Sequence, residues 1–280
     1  GSSTTNFVLA PAEVGSGSVK ATEGRRFSSI SPDGSLGEVG LREFSNLKNQ
    51  TVKLVEFRSG DAHPRNYDDW EAELFKQLND TKGRKVVHYV NCTKTGLEVP
   101  KISTVKKMQE SFGEEIDFVV DAAQGRMQRQ DIKTWLDEGK IVFTTGSKFF
   151  SSPPFCCALF VPKRYNISNI WTSDFHTYFD QLSFPEISRS SESKIVQTKP
   201  RTGHLVRWLF GIGNMTAFYS IPEKIRNEFI DHFYKKATES INQMSHIFEL
   251  ETPYKHSFPS HNSIVSFYIK KQDLTNFIDY

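Results

Sequence analysis

Asp121 and Lys148 are the two residues whose types and placing could do chemistry together. Asp121 ends the apolar run Phe118, Val119, Val120, and Lys148 follows the run Ile141, Val142, Phe143 after the polar turn Thr144, Thr145, Gly146, Ser147. Both runs are short and β-rich, and each stops at a polar cluster. Parallel strands need a helix-sized crossover, and one separates them. In open α/β sheets ligands bind just beyond the carboxyl ends of the strands, so the spacing predicts a carboxylate and an amine facing one pocket. A lysine amine can form a Schiff base with an aldehyde, and a carboxylate can hold a ring nitrogen protonated. The hydroxyls and backbone N–H groups of the turn suit an anion such as phosphate. Taken singly, Asp121 reads as a strand-end acid capping the next turn and Lys148 as a solvated surface lysine.

The elements that must position this pair alternate β, α, β, α. Residues 6–10 read as a strand, residues 24–40 as a surface excursion with a small hairpin, and residues 51–57 as a second strand. Asp68 with Glu71 resembles a capping box opening a helix marked by Trp70, Leu74 and Leu78. Residues 85–90 return to strand, and Val105, Met108 and Phe112 mark a helix closed by Gly113. The crossover over residues 128–139 places Ile132, Trp135 and Leu136 on one face and stops at Gly139. A strand is predicted over 157–161, with Cys156 and Cys157 as core positions, an irregular stretch over 165–199, and a helix over 203–219. Ser220, Pro222 and Glu223 then open a long helix with the stripe Ile225, Phe229, Phe233, Ala237, Ile241, Met244 and Phe248, expected to pack on the sheet. A last strand spans 264–269. The order predicts an α/β fold, a three-layer αβα sandwich with a mostly parallel sheet, and the start of a small α+β C-terminal domain. Residues 1–220 form the large domain, and residues 221–280 the connecting helix and the small one.

Composition narrows the functions. With 35 Lys plus Arg against 33 Asp plus Glu, the net charge of +2 gives no electrostatic reason to expect nucleic acid. No apolar run approaches the ~20 residues of a membrane span, and the start of the chain reads as neither a basic nor an apolar leader. Three cysteines, two of them adjacent, suit a reducing compartment, cytoplasmic or an organellar matrix, better than a disulfide framework. The five glycosylation sequons, beginning at Asn49, Asn79, Asn91, Asn166 and Asn214, read as chance because Asn91 ends an apolar strand. His256 and His261 are too loosely spaced for a metal site, and no metal is expected. The glycines at 15 and 17, and those at 211 and 213, lack the third glycine of a dinucleotide fingerprint.

The stretches DAAQ (121–124), TGSK (145–148) and SPPFCCALFVP, with TKTGLEVP (93–100) and PAEVGSGS (11–18) around them, resemble the fold-type I pyridoxal-phosphate enzymes, specifically the class V aminotransferase, cysteine desulfurase and kynureninase-like group. The resemblance covers most of residues 6–280. It implies Lys148 as the Schiff-base lysine, Asp121 as partner of the pyridinium nitrogen, Gln124 as donor to the ring hydroxyl, and Thr145 with Ser147 as phosphate ligands. Thr93 falls where many members have an Asn contacting ring hydroxyl or substrate, and Ser147 where His is common. The implied cofactor is pyridoxal 5'-phosphate. The implied activity is that of a transferase or lyase acting on an amino-acid-like substrate, in a homodimer or with a complementing chain. It also implies further segments before Asn6 and after Tyr280, including a phosphate-gripping loop and a substrate-carboxylate arginine. The competing expectation is a non-catalytic structural or interaction subunit that keeps the fold.

Overall fold

The structure, a computed structural model, describes residues 4–15, 17–30, 36–41, 51–60, 62–154, 156–165, 202–251 and 263–270. The elements are β1 (Thr4–Leu9), α1 (Ser18–Thr22), β2 (Thr51–Val55), α2 (Tyr67–Asn79), β3 (Arg84–Val90), α3 (Ile102–Phe112), β4 (Ile116–Ala122), α4 (Arg129–Asp137), β5 (Ile141–Thr145) and β6 (Cys157–Phe160). They continue with α5 (Thr202–Ser220), α6 (Glu223–Gln243), β7 (Phe248–Leu250) and β8 (Phe267–Ile269). A six-stranded sheet runs in the order β2-β1-β3-β4-β5-β6, while β7 and β8 pair separately. Its first five strands are parallel, and β6 returns antiparallel to β5. The expected αβα layout with a mostly parallel sheet is therefore present.

Alternation along the strands divides the side chains between two faces. Phe7 and Leu9 of β1, Val87 and Tyr89 of β3, Phe118, Val120 and Ala122 of β4, and Val142 of β5 share one core. Onto it pack Trp70, Leu74 and Leu78 of α2, Val105 and Met108 of α3, and Trp135 of α4. Trp70 is fully buried and donates Nε1–H to the Val55 carbonyl at 3.4 Å, so its one polar group has a partner. Val8 and Val90 face the other way, in a smaller cluster with Val14. Asp121 lies between Val120 and Ala122 in the strand, so it points away from the large core.

The helix ends follow local chemistry, with two corrections. Gly113 (φ +51°) and Gly139 (φ +77°) end α3 and α4 where a left-handed residue is needed, as expected. The cap of α2 is Asn66 rather than Asp68: its Oδ1 accepts from the N–H groups of Asp68 at 2.9 Å and Asp69 at 3.2 Å. Asp68 and Asp69 instead occupy the first turn, where acids favour the positive helix end. Ser220 does not cap α6; its hydroxyl donates back to the Ala217 carbonyl at 2.7 Å, closing α5, and Pro222 sits at the N-cap of α6. The excursion over 24–40 does carry an antiparallel bridge between Ile30 and Leu36.

The stripe predicted for α6 needs a larger correction. Ile225, Phe229, Phe233 and Met244 of the stripe are exposed, Phe229 by 74%, and Ile241 is its buried member; Arg226 and Ile230, which lie off the stripe, are buried as well. Spacing identifies an apolar face but not which face the tertiary fold covers. Leu209 and Phe210 of α5 are exposed as well. Cys157 is likewise exposed on β6, and Cys156 alone of the adjacent pair is buried. The expectations for 166–199, His256, His261 and the Asn49 and Asn166 sequons lie outside the described residues.

Helix α5 seats on the turn that follows β5. A Cβ on Gly211 would meet Ser152 Cβ at 3.3 Å, and one on Gly146 would meet Cys156 Sγ at 3.0 Å. Ser152 also donates its hydroxyl to the Arg207 carbonyl at 2.5 Å, and Asn214 Nδ2 donates to the Phe150 carbonyl at 2.7 Å. Gly213, two residues along, would point a Cβ into open space. Gly213→Ala should therefore raise stability by up to about 1 kcal/mol through helix propensity. Gly211→Ala should forfeit that gain against Ser152, leaving a lower melting temperature than Gly213→Ala in parallel thermal scans.

Candidate functional site

The parallel register places Asp121 beside Phe143 and Ala122 beside Thr144, so β4 and β5 end at the same rim of the sheet. Thr144 Oγ1 donates to the Ala122 carbonyl at 3.0 Å, and Asn91 N–H donates to the Asp121 carbonyl at 2.8 Å, tying β3, β4 and β5 together there. The Asp121 carboxylate is 8% exposed, and Oδ1 accepts the Ala123 N–H at 2.9 Å. Burial raises its pKa, while the Ala123 N–H and the Lys148 charge act in the opposite direction. Lys148 itself is exposed, three residues beyond the end of β5. The chain thus brings together the acid and the amine that the sequence singled out.

The hydroxyls are placed less openly. Thr145 Oγ1 donates to the Cys156 carbonyl at 2.5 Å, accepts from Ser147 N–H at 3.1 Å and lies 2.7 Å from Ser147 Oγ. It holds the shape of the turn. Ser147 is half-buried and Gln124 half-buried, both at the same rim. Thr93 is fully buried; its Oγ1 accepts the Leu97 N–H at 2.7 Å and lies 3.3 Å from Thr95 Oγ1. Thr93 therefore supports the turn over residues 93–97.

Two features have no signal in residue spacing. Arg58 joins Glu13, Thr95, Glu251 and Tyr268: it pairs with Glu13, its Nη1 lies 2.6 Å from Glu251 Oε1 and 3.0 Å from Tyr268 Oη, and its Nη2 lies 3.0 Å from Thr95 Oγ1. Thr95 in turn donates to Glu13 Oε2 at 2.6 Å. Burial works to lower the Arg58 pKa, but hydrogen bonds and charge from Glu251 and Glu13 outweigh it and raise the value. The members lie far apart in sequence, so spacing could not reveal them. The second feature is a cavity of about 270 Å³ lined in part by Tyr89, Val105, Gln109 and Trp135. Tyr89, Val105 and Trp135 belong to the large core, and polar residues including Glu98, Lys106, Asp131 and Lys140 complete the wall. Among the described residues no group of three His, Cys, Asp or Glu is placed to hold a metal ion.

With this geometry in hand, the comparisons give the fold a class. The layout is that of the fold-type I pyridoxal-phosphate-dependent enzymes. Mouse CSAD in apo form superposes with a TM-score of 0.54 at 16% identity, over 100% of this chain and 52% of that one. Tryptophan decarboxylase from Catharanthus roseus in complex with L-tryptophan gives 0.51 at 13% identity, over 96% and 48%. Aspartate aminotransferase from Trypanosoma cruzi gives 0.50 at 12%, over 94% and 58%. The chain spans about half the length of these solved structures. No family model matches the sequence, and no curated protein sequence does. Identity at this level shows the fold.

Asp121 makes the site testable without any ligand. Its folded-state pKa is raised above the unfolded value, so the ionised carboxylate opposes folding. Stability is then fullest below the unfolded pKa and is lost as the pH rises through the folded one. Asp121→Asn keeps an acceptor for the Ala123 N–H and removes the charge. In urea unfolding without cofactor the variant should be more stable than the parent at neutral pH, with the difference shrinking toward acid pH. A variant less stable than the parent at neutral pH would contradict this reading.

Proposed function

We propose that this chain forms the cofactor-holding part of a pyridoxal-phosphate-dependent transferase or lyase, class V aminotransferase-like, acting on an amino-acid-like substrate. The observation that carries the reading is the buried Asp121 carboxylate facing the Lys148 charge at the shared rim of β4 and β5 in this fold. One carboxylate oxygen is tied to Ala123 N–H. Among the described residues Oδ2 accepts no hydrogen bond, which suits a protonated ring nitrogen.

When bound, the cofactor supplies an electron sink for charge released at the substrate carbon beside the amine. Asp121 keeps that sink effective by holding the ring nitrogen protonated. Lys148 is the covalent anchor and, once free, the base and acid that moves the proton at the substrate carbon; only its neutral amine can take that proton. Gln124 donates to the ring hydroxyl, and Ser147, whose hydroxyl keeps capacity beyond its contact with Thr145, binds the phosphate. Thr145 and Thr93 act through the turns they hold, since their hydroxyls are already engaged.

That engagement is also the support for the second reading, a non-catalytic subunit that keeps the fold. A homodimer or a complementing chain belongs to the first reading, and the exposed apolar residues Leu209, Phe210, Phe229 and Phe233 on α5 and α6 offer it a surface. A reducing compartment belongs to it too, consistent with three free cysteines. No helix among the described residues is long and apolar enough to cross a membrane.

Adding pyridoxal 5'-phosphate to the purified chain should produce a visible absorbance band and a borohydride-reducible adduct. Lys148→Ala should abolish both, and Asp121→Ala should weaken retention by about tenfold or more, the order of a lost charged hydrogen bond. If the parent chain gives neither band nor adduct, the subunit reading replaces the enzyme one. In sedimentation the chain should run as a dimer, and Phe229→Glu with Phe210→Glu should shift it to monomer. A monomeric parent at micromolar concentration would remove the homodimer from the proposal.

A further inference from the structure

Beyond Lys148 the chain builds a second charged feature that the proposed chemistry does not use. Gly125 (φ +71°) turns the backbone after β4, and Arg126 follows it. Arg126 lays its guanidinium 5.0 Å from the Phe149 ring and donates Nη1–H to Ser263 Oγ at 2.5 Å. Arg226, in the first turn of α6, lies 4.9 Å from the rings of both Phe218 and Tyr219. Phe149 and Phe218 are in edge contact, their centroids 5.1 Å apart. The two cations and two rings therefore close around one small cavity of about 10 Å³, whose wall also includes Met127, Asn227 and Ile230.

The donors of that cavity lack acceptors. Arg126 Nε and the Nε and Nη1 of Arg226 are buried with no hydrogen-bond partner, and Asn227 Oδ1 is buried and unpartnered as well. Arg226 is more than nine-tenths buried. No carboxylate lines the cavity. Buried charge is tolerated when it is paired, and each of these donors otherwise bears its full desolvation cost. Turning the Asn227 amide over removes the orphan acceptor and aims Nδ2 at the same space, an assignment that hydrogen-bond logic alone decides. The cavity holds about one water-sized particle. A water brings two acceptor sites and two protons to a place that holds three N–H donors and two positive charges; a monoatomic anion brings acceptance alone.

We propose that the Arg126–Arg226 cavity is a binding site for a small monovalent anion of the chloride class. The anion bridges the turn after β4 to the start of α6 and so fixes Phe149, the neighbour of Lys148. Size sets its selectivity: chloride and bromide, single atoms somewhat larger than water, enter with a small outward shift of the rings, and four-heavy-atom acetate does not.

The full 280-residue chain is melted in sodium chloride, bromide, acetate and gluconate at equal sodium concentration. Chloride and bromide should raise the melting temperature saturably by about 3 °C over gluconate, as expected for a ligand near ten times its Kd. Acetate should match gluconate. In Arg226→Met the chloride response should disappear. Equal melting temperatures in chloride and gluconate overturn the site, and an equal response to acetate overturns its size selection. Because Arg226→Met could misfold, bromide-soaked crystals of the parent chain give an independent reading. An anomalous peak between the two guanidinium groups supports the site, and a water there with no anomalous signal overturns it.

Discussion

Parallel pairing of β4 with its two neighbours is the constraint on which the rest depends. Side chains alternate faces along a strand, so the register that puts Phe118, Val120 and Ala122 into the large core turns Asp121 to the opposite side. A slip of one residue would bury the carboxylate among Trp135 and Val142 and expose Val120. The core therefore specifies the site: the apolar area under α2, α3 and α4 fixes the register, and the register aims the acid. The same ladder fixes where β5 stops, and with it the turn whose Thr145 hydroxyl organises Ser147 and Cys156.

Much of this was legible from residue order. Apolar runs located β3, β4 and β5, and Gly113 and Gly139 marked helix ends because only they reach positive φ there without strain. The placing of Asp121 and Lys148 was readable because an acid near the end of one strand and an amine just past the end of the next, one crossover away, fall on one rim of a parallel sheet. The failures have two origins. Asn66 outcompetes Asp68 as a cap because its extended backbone lets Oδ1 reach two N–H groups, which local spacing cannot rank. On α6 the apolar stripe and the covered face share Ile241 but otherwise differ, because Arg226 and Ile230 meet the fold while Ile225, Phe229 and Phe233 do not. Backbone conformation decides the first case and tertiary contact the second.

The chain handles buried cations in two contrasting ways. Arg58 sits among Glu13, Glu251, Thr95 and Tyr268, so its charge is met on several sides. Removing one carboxylate from such a group typically costs about 3–5 kcal/mol, because it leaves the other charges stranded. Arg126 and Arg226 lean instead on aromatic faces, which give roughly 0.5–2 kcal/mol and satisfy no N–H donor. One arginine is a closed structural joint; the other two keep N–H donors without acceptors.

The Arg58 joint also sets a schedule. Glu251 lies 193 residues from Arg58 and Tyr268 lies 210 away, among the longest loops a chain of this size can close. During synthesis Glu13, Arg58 and Thr95 leave the ribosome well before their C-terminal partners, so β1 and β2 can pair while the guanidinium still faces water. Docking of β7 and β8 is then a late event that converts a solvated cation into a buried one. Non-local closure of this kind slows folding, and it makes the β7–β8 pair a seal on strands made much earlier, so a chain stalled or clipped before that pair would betray itself by an open charge beside β1 and β2.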